Sequence, residues 1–283
     1  MLDPGPGLQE VVVPVRGRQL RTVRAGTGAT TVVFESGLSA CASEWVAVQR
    51  LVAERTATLS YDRAGYGGSD PSSDDRLLSD LAADLAGVLD HIDGPVVLVG
   101  HSWGCPVIRT LLQSGGADVR GVVLVDGTVS AVMPAKEASR ARFASGLTAR
   151  LSKVGLHAPL LRRALAPAGG LLSDDDKALV MRDMLRARDV QTAAAEARGL
   201  VAVVGLLPAL EATGFPAGVE VTFVMGERPD RGQAEVRARF LAAVRAEAER
   251  LGARFVVSPQ SSHFVPQQDP SLVADEILRL VSP

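Results

Sequence analysis

Ser102 lies in the stretch Pro95-Val-Val-Leu-Val-Gly-His-Ser-Trp-Gly104. A serine hydroxyl is a useful nucleophile only when the backbone exposes it and a nearby base can take its proton. Val96 to Val99 is an apolar, β-branched run, as expected of a strand buried on both faces. Cys105 to Gln113 reads as a helix, with Pro106 tolerated in its first turn and Gly115 near its end. A strand, then G-x-S-x-G, then a helix is the context of a nucleophile elbow. The sharp turn strains the Ser102 backbone, and Gly100 and Gly104 let strand and helix pass closely. The turn presents Oγ at the C-terminal edge of a sheet and aims the Trp103 N–H at the place where an oxyanion would form.

The four histidines are sorted by position. His91 ends a helix that feeds the start of a strand, which is the wrong sheet edge. His101 adjoins Ser102 and points away from its Oγ, toward packing or a backbone acceptor. His157 falls in a helical region, where it could line a pocket but reads more readily as exposed. His263 follows the last strand at the correct edge, so it is the candidate general base. A carboxylate must fix its tautomer, and two places qualify. Asp126 ends the strand Val122-Val-Leu-Val-Asp126, and Asp230 lies in the loop after the strand Val219 to Met225. Gly37-Leu38, after the strand Thr31 to Ser36, offers the Leu38 N–H as a second oxyanion donor. Asp62 and Arg63 read as braces for neighbouring loops.

These residues need a sheet with one functional edge, and the rest of the chain supplies it. Residues 8–15 and 19–25 read as a hairpin around Arg16-Gly17-Arg18, the second strand carrying charge as an edge or half-exposed strand would. A helix capped by Ser43 buries Trp45, Val48, Leu51 and Val52. Ala57 to Asp62 is a strand that ends in the Gly-rich loop Arg63 to Pro71. Leu78, Leu81, Leu85, Val88 and Ile92 form an inward helical stripe. Alternation of strands and helices predicts a mainly parallel sheet covered on both faces. It breaks between residues 128 and 215, where Ala-, Leu- and Arg-rich helices run with breaks near Gly155, Pro167 to Gly170 and Gly199. One of these helices starts at Ser173-Asp-Asp-Asp176, a cap-like signature. The expected organisation is a first core part over 1–127, a helical cap or lid over 128–215, and a second core part over 216–283. The last part holds a helix with Val236, Phe240 and Val244 inward, a strand Arg254 to Ser258, and a final helix after Asp269-Pro270.

Composition narrows the function. The chain has 283 residues, 47% hydrophobic and 22% charged, with a net charge of −2. That balance gives no electrostatic case for nucleic acid or an anionic membrane as partner. No apolar run reaches the roughly 20 residues that span a bilayer. The N-terminus lacks a basic-then-apolar signal, so a cytoplasmic location is the default expectation. Two cysteines, Cys41 and Cys105, give neither a disulfide framework nor metal spacing.

Taken in order, Glu35-Ser-Gly-Leu38, Tyr61 to Asp70, Gly100-His-Ser-Trp-Gly104, Val122 to Asp126 and Ser262-His-Phe-Val-Pro266 resemble the α/β-hydrolase superfamily over nearly the whole chain. The resemblance implies an α/β fold: an eight-stranded, mostly parallel sheet flanked by helices, with a helical cap inserted after the sixth strand. It implies Ser102 as nucleophile, His263 as base, and Leu38 and Trp103 as oxyanion donors. Three positions depart from the pattern. Ser36-Gly37 stands where many relatives have His-Gly, and Cys105 where a second Gly is common. Pro229 occupies the usual acid position, with Asp230 one further on. Members that place the acid at the end of the sixth strand, haloalkane dehalogenases among them, favour Asp126. Dehalogenation itself is disfavoured, since those enzymes use an Asp nucleophile.

The expected function is a serine hydrolase of the carboxylesterase type. It would cleave an ester or related acyl bond of a small, partly apolar substrate through an acyl-enzyme on Ser102, with no cofactor and no metal. Rival readings are a ligand-sensing protein of the same fold with slow or no turnover, a cofactor-free lyase or haloperoxidase, and an idle scaffold. Substrate identity and oligomeric state are not legible in the sequence.

Overall fold

The computed structural model describes residues 7–281 apart from 73–74, 116, 132–134, 166–171 and 231. Eight strands form one sheet: β1 (Gln9–Val15), β2 (Arg18–Ala25), β3 (Thr31–Glu35), β4 (Ala57–Tyr61), β5 (Val96–His101), β6 (Val119–Val125), β7 (Glu220–Gly226) and β8 (Arg254–Ser258). The spatial order is β1-β2-β4-β3-β5-β6-β7-β8. Only β2 runs against the others. Arg16 and Gly17 both take positive φ (48° and 76°), the two-residue turn whose twist suits a hairpin, so Val15 pairs with Arg18. The charge on β2 does not mark an edge. β2 lies between β1 and β4, and Arg21 is buried there because Asp62 and Glu10 pair with it.

Helices cover both faces. A short 3-10 turn (Ala42–Trp45) leads into α1 (Val46–Ala53). Ser43 is therefore inside the turn and not a helix cap. α2 (Leu78–Leu89) and α3 (Gly104–Ser114) flank β5 in the chain. Between β6 and β7 the described residues form α4 (Ala135–Ser152), α5 (Ala158–Leu165), α6 (Asp174–Met184), α7 (Ala187–Arg198), α8 (Leu200–Val204) and α9 (Leu207–Thr213). The expected break at Pro167 to Gly170 lies outside the described residues. Ser173 caps α6 by accepting the Asp176 N–H at 3.1 Å. The chain ends with α10 (Ala234–Leu251), α11 (Val265–Gln268) and α12 (Pro270–Val281).

Side chains alternate across each strand, which splits the core in two. Leu98, Leu124 and Phe223 pack on one face against Leu81 and Leu85 of α2, Ile108 of α3 and Phe240 of α10. Val97, Val99, Val123 and Val125 pack on the other against Trp45, Val48, Ile277 and Leu280. The buried stripe of α10 is Arg237, Phe240, Val244 and Ala248, with Val236 left 36% exposed. An apolar reading of that helix fails by one residue because Asp126 draws the Arg237 guanidinium inward.

The chain adds β4 on one side of β3 and β5 on the other. Strand order reverses there, so the loops leaving β3 and β5 diverge and open a crevice at their C-terminal ends. Gly37-Leu38 leaves β3 at that point, and Ser102 leaves β5.

Candidate active site

Ser102 follows β5 directly, with φ +50°. Its N–H is tied to the Val125 carbonyl (3.0 Å), and its carbonyl accepts from Cys105 and Thr128. Three bonds from neighbouring segments hold a conformation that a side chain disfavours, as strain at functional positions requires. The two glycines have separate reasons. A Cβ on Gly100 would stand 3.0 Å from the Gly104 carbonyl carbon, where α3 crosses β5. A Cβ on Gly104 would stand 2.4 Å from the Glu35 carbonyl oxygen of β3. Cys105 fits beside Gly127, and burial pushes its thiol well above the ordinary range, so it packs and does not react.

The acid side is equally constrained. Asp126 follows β6 with φ +44°, and its N–H donates to the Val224 carbonyl at 2.8 Å. One carboxylate oxygen accepts from His263 Nδ1 at 2.7 Å. The other accepts from the Gly226 N–H at 3.1 Å and from Arg237 at 2.7 Å. Burial opposes charge on Asp126. The His263 contact and Arg237 outweigh it and hold the carboxyl below its usual range. Asp230 is exposed in the loop after β7, and among the described residues its one hydrogen bond is from the Gln233 N–H to its backbone carbonyl. Of the two carboxylates open in the sequence, Asp126 is therefore the one that meets His263.

With Nδ1 committed to Asp126, His263 has Nε2 left for other work. His263 and Ser102 both line a cavity of about 340 Å³, with residues of α4, α5 and α7 such as Thr148, Leu161 and Val190 also in its wall. Gly37 and Leu38 line it too. The Leu38 and Trp103 N–H groups donate to no other described residue, while the Gly37 N–H is used by Glu44 at 2.9 Å. That leaves Leu38 and Trp103 free to face an oxyanion.

The remaining histidines are structural. His91 Nε2 meets the Pro14 carbonyl. His157 is buried, with Nε2 at the Leu185 carbonyl. His101 turns away from Ser102, with Nε2 2.8 Å from the His263 carbonyl and Nδ1 2.8 Å from Glu44.

Asp62 and Arg63 brace neighbouring loops as their place after β4 suggests, Asp62 by accepting the Ala42 and Gly68 N–H groups; the far partners of Arg63 were not legible. Arg63 donates to the carbonyls of Ser36 (2.5 Å) and Gly37 (2.8 Å) and to Glu35 (2.8 Å). Its other hand reaches Glu196 of α7 at 2.9 Å, and Arg76 reaches the same carboxylate at 2.6 Å. All four charged side chains are buried, so each depends on the others. Asp189, also on α7, lines the cavity with its carboxyl pushed up by burial to about 6. No periodicity in the sequence distinguishes Glu196 or Asp189 from the other acids of the Arg-rich helices.

A sequence profile of the alpha/beta hydrolase family matches residues 32–276. The chain belongs to that family. Among curated relatives, the uncharacterized protein YqjL of Bacillus subtilis is 29% identical over 105 residues, 36% of this chain and 42% of that one. A 2-(acetamidomethylene)succinate hydrolase of Mesorhizobium japonicum is 28% identical over 131 residues, 46% of this chain and 47% of that one. The chain thus spans under half the length of these relatives. Among solved structures, the Cif epoxide hydrolase from Acinetobacter nosocomialis superposes with a TM-score of 0.80 at 17% identity, covering 98% of this chain and 90% of that one. At that identity the likeness is one of fold. Family and fold place the chain among the alpha/beta hydrolases. No described helix is long and apolar enough to cross a membrane.

Proposed function

We propose that the protein is a serine hydrolase that cleaves a carboxylic ester or related acyl bond through Ser102. The observation that carries the reading is the Asp126–His263 pair at 2.7 Å sharing one cavity with a strained, half-exposed Ser102. Ser102 Oγ attacks the substrate carbonyl carbon and passes its proton to His263 Nε2. The carbonyl oxygen takes the displaced electron pair and is held by the N–H groups of Leu38 and Trp103. His263 then protonates the leaving alcohol as the C–O bond breaks, giving an acyl-enzyme. Water attacks it, loses a proton to His263, and releases the acid and free Ser102. Asp126 keeps the Nδ1 proton in place throughout. The helices α4 to α9 act as the cap, and their Leu161, Met184 and Val190 give the acyl or alcohol group an apolar wall.

Epoxide opening is a poor fit to these residues. It requires attack at a saturated carbon, and a serine oxygen would form an ether that water does not readily cleave. A carbonyl carbon gives an ester, which turns over.

Hydrolysis of p-nitrophenyl acetate and butyrate by wild type and Ser102→Ala tests the reading. Turnover by wild type that falls by about 10³-fold or more in the variant is expected. Equal rates in both would overturn it.

A further inference from the structure

His101 is buried between two acceptors. Nδ1 faces the Glu44 carboxylate at 2.8 Å, and Nε2 faces the backbone carbonyl of His263 at 2.8 Å. A neutral imidazole has one N–H and one lone pair, so it can satisfy only one of them. The arrangement closes only when both ring nitrogens carry hydrogen, or when the Glu44–His101 pair keeps one shared proton between them. A lone pair aimed at either acceptor would be a buried repulsion.

The contacts also show what the pair holds. The second Glu44 oxygen accepts the Gly37 N–H at 2.9 Å, in the loop that offers Leu38 to the cavity. His101 holds the backbone of His263 itself, and the two rings lie 4.8 Å apart. Trp45 packs edge-on against His101 from the other side. One proton therefore joins the loop after β3 to the loop after β8, beneath Ser102.

We propose that His101 and Glu44 form a proton-holding clamp, with His101 as imidazolium positioning the His263 loop against the oxyanion loop. The charged groups around the clamp agree. Burial alone would lower the His101 pKa, but Glu44 outweighs it and the value is raised, with Asp126 adding in the same direction. Glu44 is held below its usual range by His101, the Gly37 N–H and Arg63 against the opposing effect of burial. His263 is a further titratable neighbour, Asp189 lines the same cavity, and the buried Cys105 thiol also feels Glu44. His101 and Glu44 are positioning residues, and their effect on turnover rests on the serine-hydrolase reading. Their proton does not.

Glu44→Gln separates charge from shape. A Gln side chain can accept the Gly37 N–H and donate its amide to an unprotonated Nδ1, which leaves Nε2–H for the His263 carbonyl. The variant is satisfied by neutral His101, whereas the wild type is satisfied by the protonated form. The variant-to-wild-type ratio of kcat is therefore expected to rise with pH, by about 10-fold across the alkaline range, with little change in KM. A ratio that stays flat with pH would overturn the clamp. The direct test uses ¹⁵N-histidine labelling of the wild type alone. His101 should show both nitrogens in protonated or shared-proton environments at neutral pH, above the point where an ordinary histidine has titrated. A single unprotonated nitrogen there would overturn the proposal, whether or not the protein turns over esters.

Discussion

His263 Nδ1 stands 2.7 Å from Asp126 Oδ2, across 137 residues of chain. The contact is fixed from both ends. The other Asp126 oxygen is held by Gly226 and Arg237, so the carboxylate has one orientation. The His263 backbone is held by His101. A base oriented by a buried carboxylate keeps the tautomer that leaves Nε2 free to take a proton.

Asp126→Asn is therefore expected to lower kcat by roughly 10³- to 10⁴-fold, because the amide favours the wrong imidazole tautomer. Asp230→Asn should leave kcat within about two-fold, since that side chain is exposed and no described hydrogen bond joins it to His263. Steady-state ester hydrolysis by the two purified variants makes the comparison. A larger loss in Asp230→Asn would reverse the assignment of the acid.

Arg237→Met leaves a buried Asp126 without its cation. Removing one partner of a buried pair costs roughly 3 kcal/mol. The urea midpoint of the variant should drop accordingly with an unchanged slope. An unaltered midpoint would mean that the Gly226 N–H and His263 suffice to hold the carboxylate.

Glu196 is the only described acid that bridges Arg63 and Arg76. Glu196→Gln should loosen α7 from the loop after β4, and with it the cavity wall that carries Asp189 and Val190. The expected signature is a KM raised by about 10-fold with a smaller change in kcat, and faster amide exchange in α7 than in α12. Equal exchange in wild type and variant would show that α7 is docked by its apolar contacts alone.

Burial pushes the Glu35 carboxyl from 4.5 up to about 6, despite Arg63 and the Tyr61 hydroxyl beside it. Between those values the folded chain keeps a proton that the unfolded chain has released. Stability is thus fully present below the lower value and declines as pH rises through the upper one. Glu35→Gln mimics the protonated form. Relative to that variant, wild type should lose about 2 kcal/mol between about pH 4 and about pH 7. Parallel stability curves for the two proteins would contradict the shift. Asp189 titrates with the same sign and is common to both.

The fold was legible because its signals are local. Buried strands read as β-branched runs, helices as spaced apolar stripes, and the turn at Ser102 as glycines flanking one hydroxyl. The helical run between the strands, over 128–215, was legible from the residues, and the family resemblance added the eight-stranded sheet as a whole. Within the site, Ser102, His263 and Leu38 were placed by the rule that chemistry gathers at strand C-termini. The choice between Asp126 and Asp230 stayed open at the level of residues, since both follow strands. Only the partners decide it: Arg237 and the Gly226 N–H converge on one carboxylate. The Arg63–Glu196 tie and the Glu44–His101 clamp were not legible. Each joins residues far apart in sequence, and a buried ion pair leaves the same letters as two solvated charges.

Reaction with a fluorophosphonate, located by peptide mass spectrometry, tests the central claim most directly. A phosphonyl adduct on Ser102 at near one equivalent is predicted, slowed at least 100-fold in His263→Ala. A folded wild type that carries no adduct, or carries it on another residue, would contradict the assignment of Ser102 as the nucleophile.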